Sequence, residues 1–587
     1  MSIAATIAVQ ANPFPGLRPF KEDEEYLFFG RESQVDAMVN TLAATHFLAV
    51  VGTSGSGKSS LVNCGLRPAL HRGLMACTGT IWRMAQFRPG GDPLGALARA
   101  LAVDGVLFRG YEAGSLTLTE IIDTTLRMSK LGLIDIYEQA RLDEEVNLLV
   151  VVDQFEELFR YRQLGASQKE NAYGVSAEAT AFVNLLLEVR EQTAYPIYVV
   201  LTMRSDFLGD CAQFPGLPEA INAGQYLVPR LTRDERRAAI SGPVGVGGAE
   251  IAPVLLTRLV NDVGDNPDQL SILQHALNRT WACWQQESNG KRSLDLTHYD
   301  AIGTMAHALD QHAETAYAEL GAGRQQQICE KLFKAITDKA TDRRGVRRPT
   351  TQGTLCALAA ATAAEVTEVI DVFREPSRSF LMPPAGEALN PDTVIDISHE
   401  SLMRVWERLK AWADEEAQSA RLYRRLAETA VLHAVGKASL WRDRDLQLAL
   451  DWREKEQPTA VWAARYHEGF EQAMSFLEAS VALRDEEARE QEARRQEQEA
   501  QRQRALEQAQ AVAEEQQRRA EERTKAAKRL RRLLWSMVAL AMIAVGASAV
   551  AVSKSNTAQK QTRLATVRQL AAQVLSRYVR LDLALLS

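Results

Sequence analysis

The sequence has few cysteines and no excess of positive charge. Its six cysteines are scattered among 587 residues, and no two of them form a C-x-x-C pair. This spacing argues against a zinc site or a disulfide framework and suits a reducing compartment. The formal net charge is −7, so no global basic field favours nucleic acid. A nucleic-acid partner is therefore not expected.

The chain also lacks an internal repeat of the ~40–45 residues that a propeller blade needs. Between residues 481 and 532 it has neither glycine nor proline, and nearly all positions are Ala, Glu, Gln, Arg or Lys. These residues form helices readily, and many opposite charges lie four apart. Large apolar residues are scarce, with Leu506 and Val512 nearly alone, which makes a strong coiled coil doubtful. We expect a long charged helix, or a weak coiled coil that oligomerisation strengthens.

An apolar run followed by a glycine-rich loop lies near the N-terminus. Residues 47–51 are all apolar, as in a buried parallel strand. Residues 52–59, here called the phosphate loop, match G-x-x-x-x-G-K-[ST]. In such a loop the backbone amides cradle phosphates, the lysine reaches the β- and γ-phosphates and the serine hydroxyl binds Mg²⁺. The alternative is a Gly/Ser turn that binds nothing. The candidate nucleotide-binding residues here are Gly52, Gly55, Gly57, Lys58, Ser59 and Ser60.

A second apolar run, residues 148–152, ends in Asp153. An aspartate at the carboxyl end of a strand beside the phosphate loop is the usual second magnesium-linked group. Gln154 follows, where many ATPases have a catalytic glutamate. Glu156 is our candidate for activating the attacking water. Alternatively, Glu156 and Glu157 are simply acids favoured at a helix N-terminus.

A third apolar strand lies within residues 196–207 and ends near Arg204. This arginine could stabilise the charge of a γ-phosphate, or it could simply pair with Asp206. Residues 79–87 form another candidate strand. Because such strands alternate with helical segments, we predict an α/β P-loop NTPase fold, with a parallel sheet, helices on both faces and the nucleotide at the carboxyl edge.

The motifs together resemble those of the bacterial STAND-type NTPases. They are "NPFPGLRPF", "FFGRE", the phosphate loop, "VVVDQFEELF", "LTMRSDFLGDC", "NPDQLSILQHAL" and "ISHESLMRVWERL". The resemblance covers roughly residues 12–480 and is strongest to the branch that often precedes a WD-repeat propeller. Such proteins are signal-transduction ATPases related to the NACHT and NB-ARC switches. The resemblance implies ATP or ADP with Mg²⁺ as ligands, slow hydrolysis and self-association of the ATP-bound form.

The resemblance also assigns roles to single residues. Arg31, in "FFGRE", matches a segment that contacts adenine and ribose. Pro267 matches the proline that packs on adenine, and His399 the winged-helix histidine that touches the ADP phosphate in the resting state. The alternative for His399 is a hydrogen-bonded structural histidine.

Two acidic positions and one arginine are covered by the same resemblance. Asp153 and Glu156 match the acidic positions of the NACHT pattern, which makes Asp153 metal-linked and Glu156 catalytic. Arg204 matches the first sensor position. The candidate catalytic residues are thus Glu156 and Arg204, and the candidate metal ligands are Ser59 and Asp153.

The segment from about residue 230 to 480 alternates amphipathic helices with short strands, as helical and winged-helix modules do. A winged helix can bind DNA, and it carries a basic cluster here. We expect instead that this cluster is a solvated wing and that the module closes over the nucleotide. The cluster comprises Arg343, Arg344, Arg347 and Arg348.

Residues 533–552 carry no charge and match the ~20 residues that cross a bilayer. Trp535 lies near one end, and basic residues are denser before the run than after it. We therefore predict one transmembrane helix in the inner (cytoplasmic) membrane, with the NTPase part in the cytoplasm and the C-terminus outside. The alternative is a helix buried in a soluble protein.

The predicted organisation has eight segments. The function that it implies is a membrane-tethered ATPase switch controlled by ADP and ATP. A membrane-anchored scaffold with a structural nucleotide site, and a transcription regulator that uses its winged helix, are the alternatives. The segments are a flexible N-terminus (1–11), the P-loop NTPase domain (12–230), a helical domain (231–320), a winged helix (321–415), a helical extension (416–480), the charged helix (481–532), the transmembrane helix (533–552) and a helical lead-in to a further domain that we expect beyond this sequence (553–587).

Overall fold

Five apolar segments form one parallel sheet in the first half of the chain. In order across the sheet the strands are β2-β3-β4-β1-β5, and every neighbouring pair is parallel. Every residue of β1, β3 and β4 is buried, as expected where helices cover both faces. The predicted parallel α/β sheet is therefore confirmed. The strands are β1 (Phe47–Gly52), β2 (Ile81–Phe87), β3 (Val146–Val152), β4 (Ile197–Arg204) and β5 (Gln225–Leu227).

Alternate residues of the strands belong to two hydrophobic cores, one on each face of the sheet. Phe47, Ala49 and Val51 lie in one core, and Leu48 and Val50 in the other. This two-residue period is that of an extended strand. The helices of this part are Glu22–Leu27 (3₁₀), Glu32–Thr45, Lys58–Ser60, Leu61–Leu66 (π), Arg67–His71, Pro93–Leu101, Leu118–Met128, Gly132–Ala140, Glu157–Tyr161, Ala177–Glu191, Ser205–Phe207 (3₁₀), Gly209–Gln213 (3₁₀) and Leu217–Gly224.

An all-helical region follows the sheet. Its core is built on the indole rings of Trp281 and Trp284, whose centroids lie 4.7 Å apart. Phe14, from the N-terminal segment, packs edge-on against Trp281. The helices are Arg233–Val246, Pro253–Asp262, Gln269–Ser288, Leu296–Ala301 and Thr304–Glu319.

Residues 324–405, here called the small-sheet region, combine helices with short antiparallel strands. One sheet has the order β8-β10-β9, and β6 pairs with β7. Phe333, Phe373 and Trp406 form the centre of its core. The strands are β6 (Thr337–Asp338), β7 (Val346–Arg347), β8 (Thr350–Thr351), β9 (Leu381–Met382) and β10 (Val394–Ile397), and the helices are Arg324–Ala335, Gln352–Ala359, Ala363–Arg374 and Ser401–Val405.

Helices alone make up the rest of the described chain. Tyr423 and Trp452 lie in a further core to which all four of these helices contribute side chains. The last helix is long and carries ion pairs between residues four apart, such as Glu515 with Arg519. The bounds are Glu407–Ala434, Asp443–Glu456, Ala460–Ala463 and Phe470–Gly546.

The computed structural model describes residues 12–76, 78–111, 116–143, 145–161, 177–192, 194–264, 269–288, 293–339 and 346–546. The chain divides into two units, Met1–Ala482 and Leu483–Ser587. The sheet, the all-helical region and the small-sheet region all lie in the first unit.

The prediction of a transmembrane helix over residues 533–552 is not supported. Among the described residues, no helix combines the length and the apolar character needed to cross a bilayer. Residues 533–546 of the apolar run are described, fewer than the ~20 required, and residues 547–552 lie outside the described part. This finding overturns the predicted single-pass location in the inner membrane, with its cytoplasmic NTPase part and external C-terminus.

Candidate functional site

A cavity lies over the phosphate loop, at the carboxyl edge of the sheet. Residues of the loop, of the ends of β3 and β4, of the all-helical region and of the small-sheet region line it. Gly55 and Gly57 have φ of 73° and 85°, which other residues rarely adopt. A Cβ added to Gly57 would meet no atom within 4 Å, so the space above the loop is open to a ligand.

Lys58 begins the helix that follows the loop. Its Nζ donates hydrogen bonds to Gly52 O (3.1 Å) and Thr53 O (2.8 Å). Burial lowers the pKa of Lys58, while the carboxylates of Glu156 and Asp153 oppose that shift. On balance its surroundings disfavour the charged form, and an anionic phosphate would offset that effect.

Two hydroxyl groups converge on Asp153. Ser59 Oγ and Thr202 Oγ1 donate to the same Asp153 Oδ1, at 2.7 and 2.6 Å, and Asp153 is buried. Hydroxyl and carboxylate oxygens are ligands that suit Mg²⁺. Among the described residues, no cluster of three or more His, Cys, Asp or Glu residues could hold a metal. A magnesium ion held by Ser59 and Asp153 would therefore share its coordination with phosphate oxygens, as it commonly does.

Two adjacent glutamates lie just beyond Asp153 and differ in their surroundings. Glu156 is buried, lines the cavity and accepts a hydrogen bond from Arg204 N at 3.3 Å. Glu157 accepts one from Gly90 N at 3.1 Å. Burial raises the pKa of Glu157 to about 7, against the opposing charges of Arg88 and Arg347. Of the two, Glu156 is the residue that the sequence analysis proposed as catalytic.

Arg204 ends β4 and meets carboxylates on two sides. Its Nη1 donates to both oxygens of Glu400, at 2.8 and 2.6 Å, and its Nε and Nη2 donate to Asp206. Burial lowers the pKa of Arg204, but Asp206 and Glu400 outweigh it and hold the pKa above its usual range. The salt bridge to Asp206, which was the alternative to a sensor role, is present, and the arginine also lines the cavity.

Glu400 joins the small-sheet region to the phosphate loop. It is 4% exposed, and besides Arg204 it accepts a hydrogen bond from Ser54 Oγ at 2.9 Å. No local feature of the sequence indicates this role, because Ser54 and Glu400 are 346 positions apart. Its place directly after His399 was the one available hint.

His399 lines the same cavity. Its Nδ1 accepts a hydrogen bond from Ser401 N at 3.1 Å, so a neutral ring carries its proton on Nε2. Burial lowers the pKa of His399 to about 4, and Arg347, Arg404 and Lys58 add to the shift against the opposing charge of Glu400. The histidine is therefore neutral at pH 7 and presents an N–H donor.

Arg31 and Ser60 make hydrogen bonds between the phosphate-loop region and other segments of the chain. Arg31 is buried and donates to Pro229 O (2.8 Å) and Ser56 O (3.3 Å). Ser60 Oγ accepts a hydrogen bond from Phe20 N at 3.2 Å. Both residues line the cavity. Pro267 lies outside the described residues.

The interpretation of the basic cluster as a solvated wing is wrong for Arg347. This side chain is 9% exposed, lines the cavity and donates to Gln154 Oε1 at 2.5 Å. Arg348 is half-buried, and its guanidinium lies 5.4 Å from the centre of the Tyr466 ring. Arg343 and Arg344 lie outside the described residues. Sequence reasoning missed Arg347 because only the folded chain brings it to the sheet edge.

A parallel sheet whose first strand leads into a phosphate loop, with Asp153 beside Ser59, defines a P-loop NTPase. The chain belongs to a particular family of them: residues 13–438 match the family described as novel STAND NTPase 1. No curated protein matches the chain.

Several solved structures are similar to the chain at low identity. The ORC2 protein of Aeropyrum pernix, in ADPNP–ADP complexes, is 14% identical with a TM-score of 0.34, covering 66% of this chain and 94% of that chain. Cdc6p of Pyrobaculum aerophilum is 13% identical with a TM-score of 0.29, covering 66% and 94%. The RuvB Holliday junction branch migration motor of Thermotoga maritima is 13% identical with a TM-score of 0.27, covering 66% of this chain and 97% of that chain.

Proposed function

We propose that this protein is an ATPase switch in which the bound nucleotide decides whether the small-sheet region, as a winged-helix module, stays docked on the NTPase sheet. The observation that carries the proposal is the contact of Glu400 with Ser54 and Arg204. These two residues belong to the phosphate loop and to the end of β4, where a γ-phosphate would lie. Docking and phosphate binding therefore use the same groups.

The nucleotides differ in how they affect this contact. A γ-phosphate competes with Glu400 for Arg204 and brings like charge next to the buried carboxylate, so ATP weakens docking. ADP has no γ-phosphate and leaves the Glu400 contacts in place, while the Nε2–H of His399 reaches its terminal phosphate. A ligand shifts such an equilibrium only through contacts that differ between the two states.

Hydrolysis would return the switch to its docked state. Ser59 and Asp153 would hold Mg²⁺, which screens the phosphate charge. Glu156, buried at the cavity wall, is the group proposed to accept the proton of the attacking water. Lys58 and Arg204 stabilise the charge on the transferred phosphoryl group. Before hydrolysis, the undocked, ATP-bound protomers would self-associate through surfaces that docking covers.

Replacing Glu400 by Gln tests the switch in the full chain. The amide keeps the shape but loses the ion pair with Arg204, so docking should weaken. We expect self-association, followed by light scattering, to begin at lower ATP concentrations than in the wild type. Glu407→Gln is the matched control, because its side chain is 73% exposed and pairs with Lys410. ATP-dependent assembly that is identical in all three proteins would contradict the proposal.

Replacing Glu156 by Gln tests the chemistry. ATP should still bind, while the turnover number falls about 100-fold or more, the typical contribution of a general base. Glu157→Gln is the comparison. If Glu157→Gln alone is slow, Glu157 is the base. If the wild type binds ATP without hydrolysing it under assembly conditions, the nucleotide has a structural role in a scaffold.

A further inference from the structure

Gln154 has an unusual backbone conformation at the centre of the site. It directly follows Asp153 and has φ of 60°, in the left-handed region that disfavours side chains. Its N–H donates to Thr202 Oγ1 at 2.9 Å, and its side chain lines the cavity. Strained residues of this kind cluster at functional sites, where the surroundings hold them.

The side chain of Gln154 is held by the small-sheet region. Arg347 Nη2 donates to Gln154 Oε1 at 2.5 Å, and Arg347 Nη1 donates to Asp396 Oδ2 at 2.5 Å and to Ile397 O at 3.0 Å. Arg347 is thus fixed by two residues of β10, and it holds Gln154, the second residue after the end of β3. These elements separate if the small-sheet region undocks.

Nearby carboxylates stabilise the charged form of Arg347. Burial lowers the pKa of Arg347, but Asp396, Glu400 and Glu157 outweigh it and hold the pKa above its usual range. Its Nε has no hydrogen-bond partner among the described residues. A buried, charged guanidinium that already has one unpaired N–H is stabilised by each hydrogen bond that its other N–H groups make. The hydrogen bond to Gln154 Oε1 therefore stabilises Arg347 in its buried position.

We infer that Arg347 is an inhibitory clasp on Gln154, which orients the attacking water once the clasp is released. This inference rests on the proposed function. A glutamine amide can orient water for attack on a γ-phosphate. While Arg347 occupies Oε1, that oxygen is a poor acceptor for a water O–H. Undocking removes Arg347 and Asp396 together and returns Oε1 to the cavity.

The step that the clasp regulates is the hydrolysis of ATP. The water oxygen bonds to the γ-phosphorus, and the bond from that phosphorus to the bridging oxygen breaks. ADP and phosphate are the products, and Glu156 accepts the proton of the water. Gln154 neither gains nor loses a proton, and Arg347 acts only through Gln154 as a positioning residue.

The test is ATP turnover by full-length Arg347→Met, Gln154→Ala and the double variant. Methionine keeps a side chain of similar length but has no hydrogen-bond donor. The turnover number should rise about tenfold, because losing one charge-assisted hydrogen bond lowers the docked population by about that factor. Gln154→Ala should lower turnover, and the double variant should be as slow as Gln154→Ala. Arg348→Met is the matched control, because Arg348 donates to Arg465 O away from the cavity.

Asp396→Asn covers the case in which Arg347→Met fails to fold, since it keeps the arginine and weakens its anchor. Asp396→Asn should raise the turnover number, as Arg347→Met should. Equal or lower turnover in Arg347→Met, with wild-type hydrolysis intact, would overturn the clasp alone. ATP binding without turnover in every variant would overturn both the clasp and the proposed ATPase. A rise in the double variant would show that Arg347 does not act through Gln154.

Discussion

At the scale of single residues, the site contains two buried ion pairs whose members lie far apart in the sequence. Arg204 meets Glu400, and Arg347 meets Asp396, with both members of each pair less than a tenth exposed. Removing one partner leaves a buried charge with fewer opposite charges around it, as when Arg204 keeps Asp206 or Asp396 keeps Arg88, and this loss is destabilising. Single substitutions here should therefore shift the docking equilibrium strongly.

His399→Ala should weaken ADP binding more than ATP binding. Its Nε2–H is available to a phosphate only while the small-sheet region is docked, so it stabilises the docked state alone. A lost contact of ~1.5–3 kcal/mol lowers ADP affinity about 10- to 100-fold. Calorimetric titration of the full chain with each nucleotide measures both effects, and His307→Ala, an exposed position, is the control. Equal losses for ADP and ATP would make His399 a structural residue.

Glu157 should make the stability of the protein depend on pH. Its pKa is raised from 4.5 to about 7, so the folded state binds the proton more tightly than the unfolded state. The resulting stability is complete below pH 4.5 and is lost as the pH rises to about 7, by about 3 kcal/mol at most. Glu157→Gln removes this loss.

The measurement is the melting temperature of the wild type and of Glu157→Gln between pH 5 and 8. The gap between the two should widen in favour of the variant as the pH rises. Glu138→Gln, at an exposed position away from the site, is the control. A gap that is constant with pH would mean that Glu157 keeps an ordinary pKa.

At the scale of elements, the sheet edge explains why distant motifs meet. β1, β3 and β4 are parallel neighbours, so the residues that follow them lie side by side. The apolar runs and the motif spacing predicted this part: the parallel sheet, the loop and the meeting of Ser59 with Asp153. The sequence analysis noted Gln154 at the position of a catalytic glutamate. Its strained backbone was not predictable, because the hydrogen bond to Thr202 that supports it comes from another strand.

Gly57→Ala should impair nucleotide binding more than folding. The φ of 85° is unfavourable for alanine, which costs about 1 kcal/mol, and the added methyl group enters the open space above the loop. Gly386→Ala is a matched control, with φ of 97° and no atom near its added Cβ. Both variants should lose similar stability on melting, while only Gly57→Ala loses ATP affinity. Equal ATP affinity in the two would place the phosphates elsewhere.

The long charged helix, in contrast, was predictable from its local sequence alone. Its segment without glycine or proline is helical in the structure as well, because alanine and charged side chains favour a helix without tertiary support. Ion pairs four residues apart, such as Glu490 with Arg494, add small local contributions. The transmembrane helix predicted from the apolar run that follows is not supported, because no helix among the described residues is long and apolar enough to cross a bilayer.

At the scale of the whole molecule, residues 12–20 form a strap that contacts each region of the first unit. Phe14 O accepts a hydrogen bond from Asn278 in the all-helical region. Leu17 is 2% exposed and packs in the core that the small-sheet region shares with the helices Thr304–Glu319 and Glu407–Ala434. Phe20 is held by Ser60 and Asn63 on the helix after the phosphate loop. The strap also lines the nucleotide cavity. In the proposed switch, undocking would remove Leu17 from this shared core.

Leu17→Ala should therefore loosen docking. A buried Leu→Ala change costs about 2–5 kcal/mol, and here most of that cost falls on the docked state. We expect release of a fluorescent ADP analogue from the full chain to become at least several-fold faster. Leu259→Ala, equally buried but within the all-helical region, should lower the melting temperature without accelerating release. The same release rate in both variants would show that the strap does not clamp the small-sheet region.

The sequence by itself determined the parallel sheet, the phosphate loop and its partner acid, because strand periodicity and motif spacing are local properties. It also placed Arg204 and His399 among the candidates. Only the tertiary structure decided what these residues contact: Glu400 on Ser54 and Arg204, Arg347 on Gln154, and Leu17 in a core some 300 positions away. Such pairings depend on how separate regions dock, and docking is set by the sum of many weak contacts that no single stretch of sequence contains.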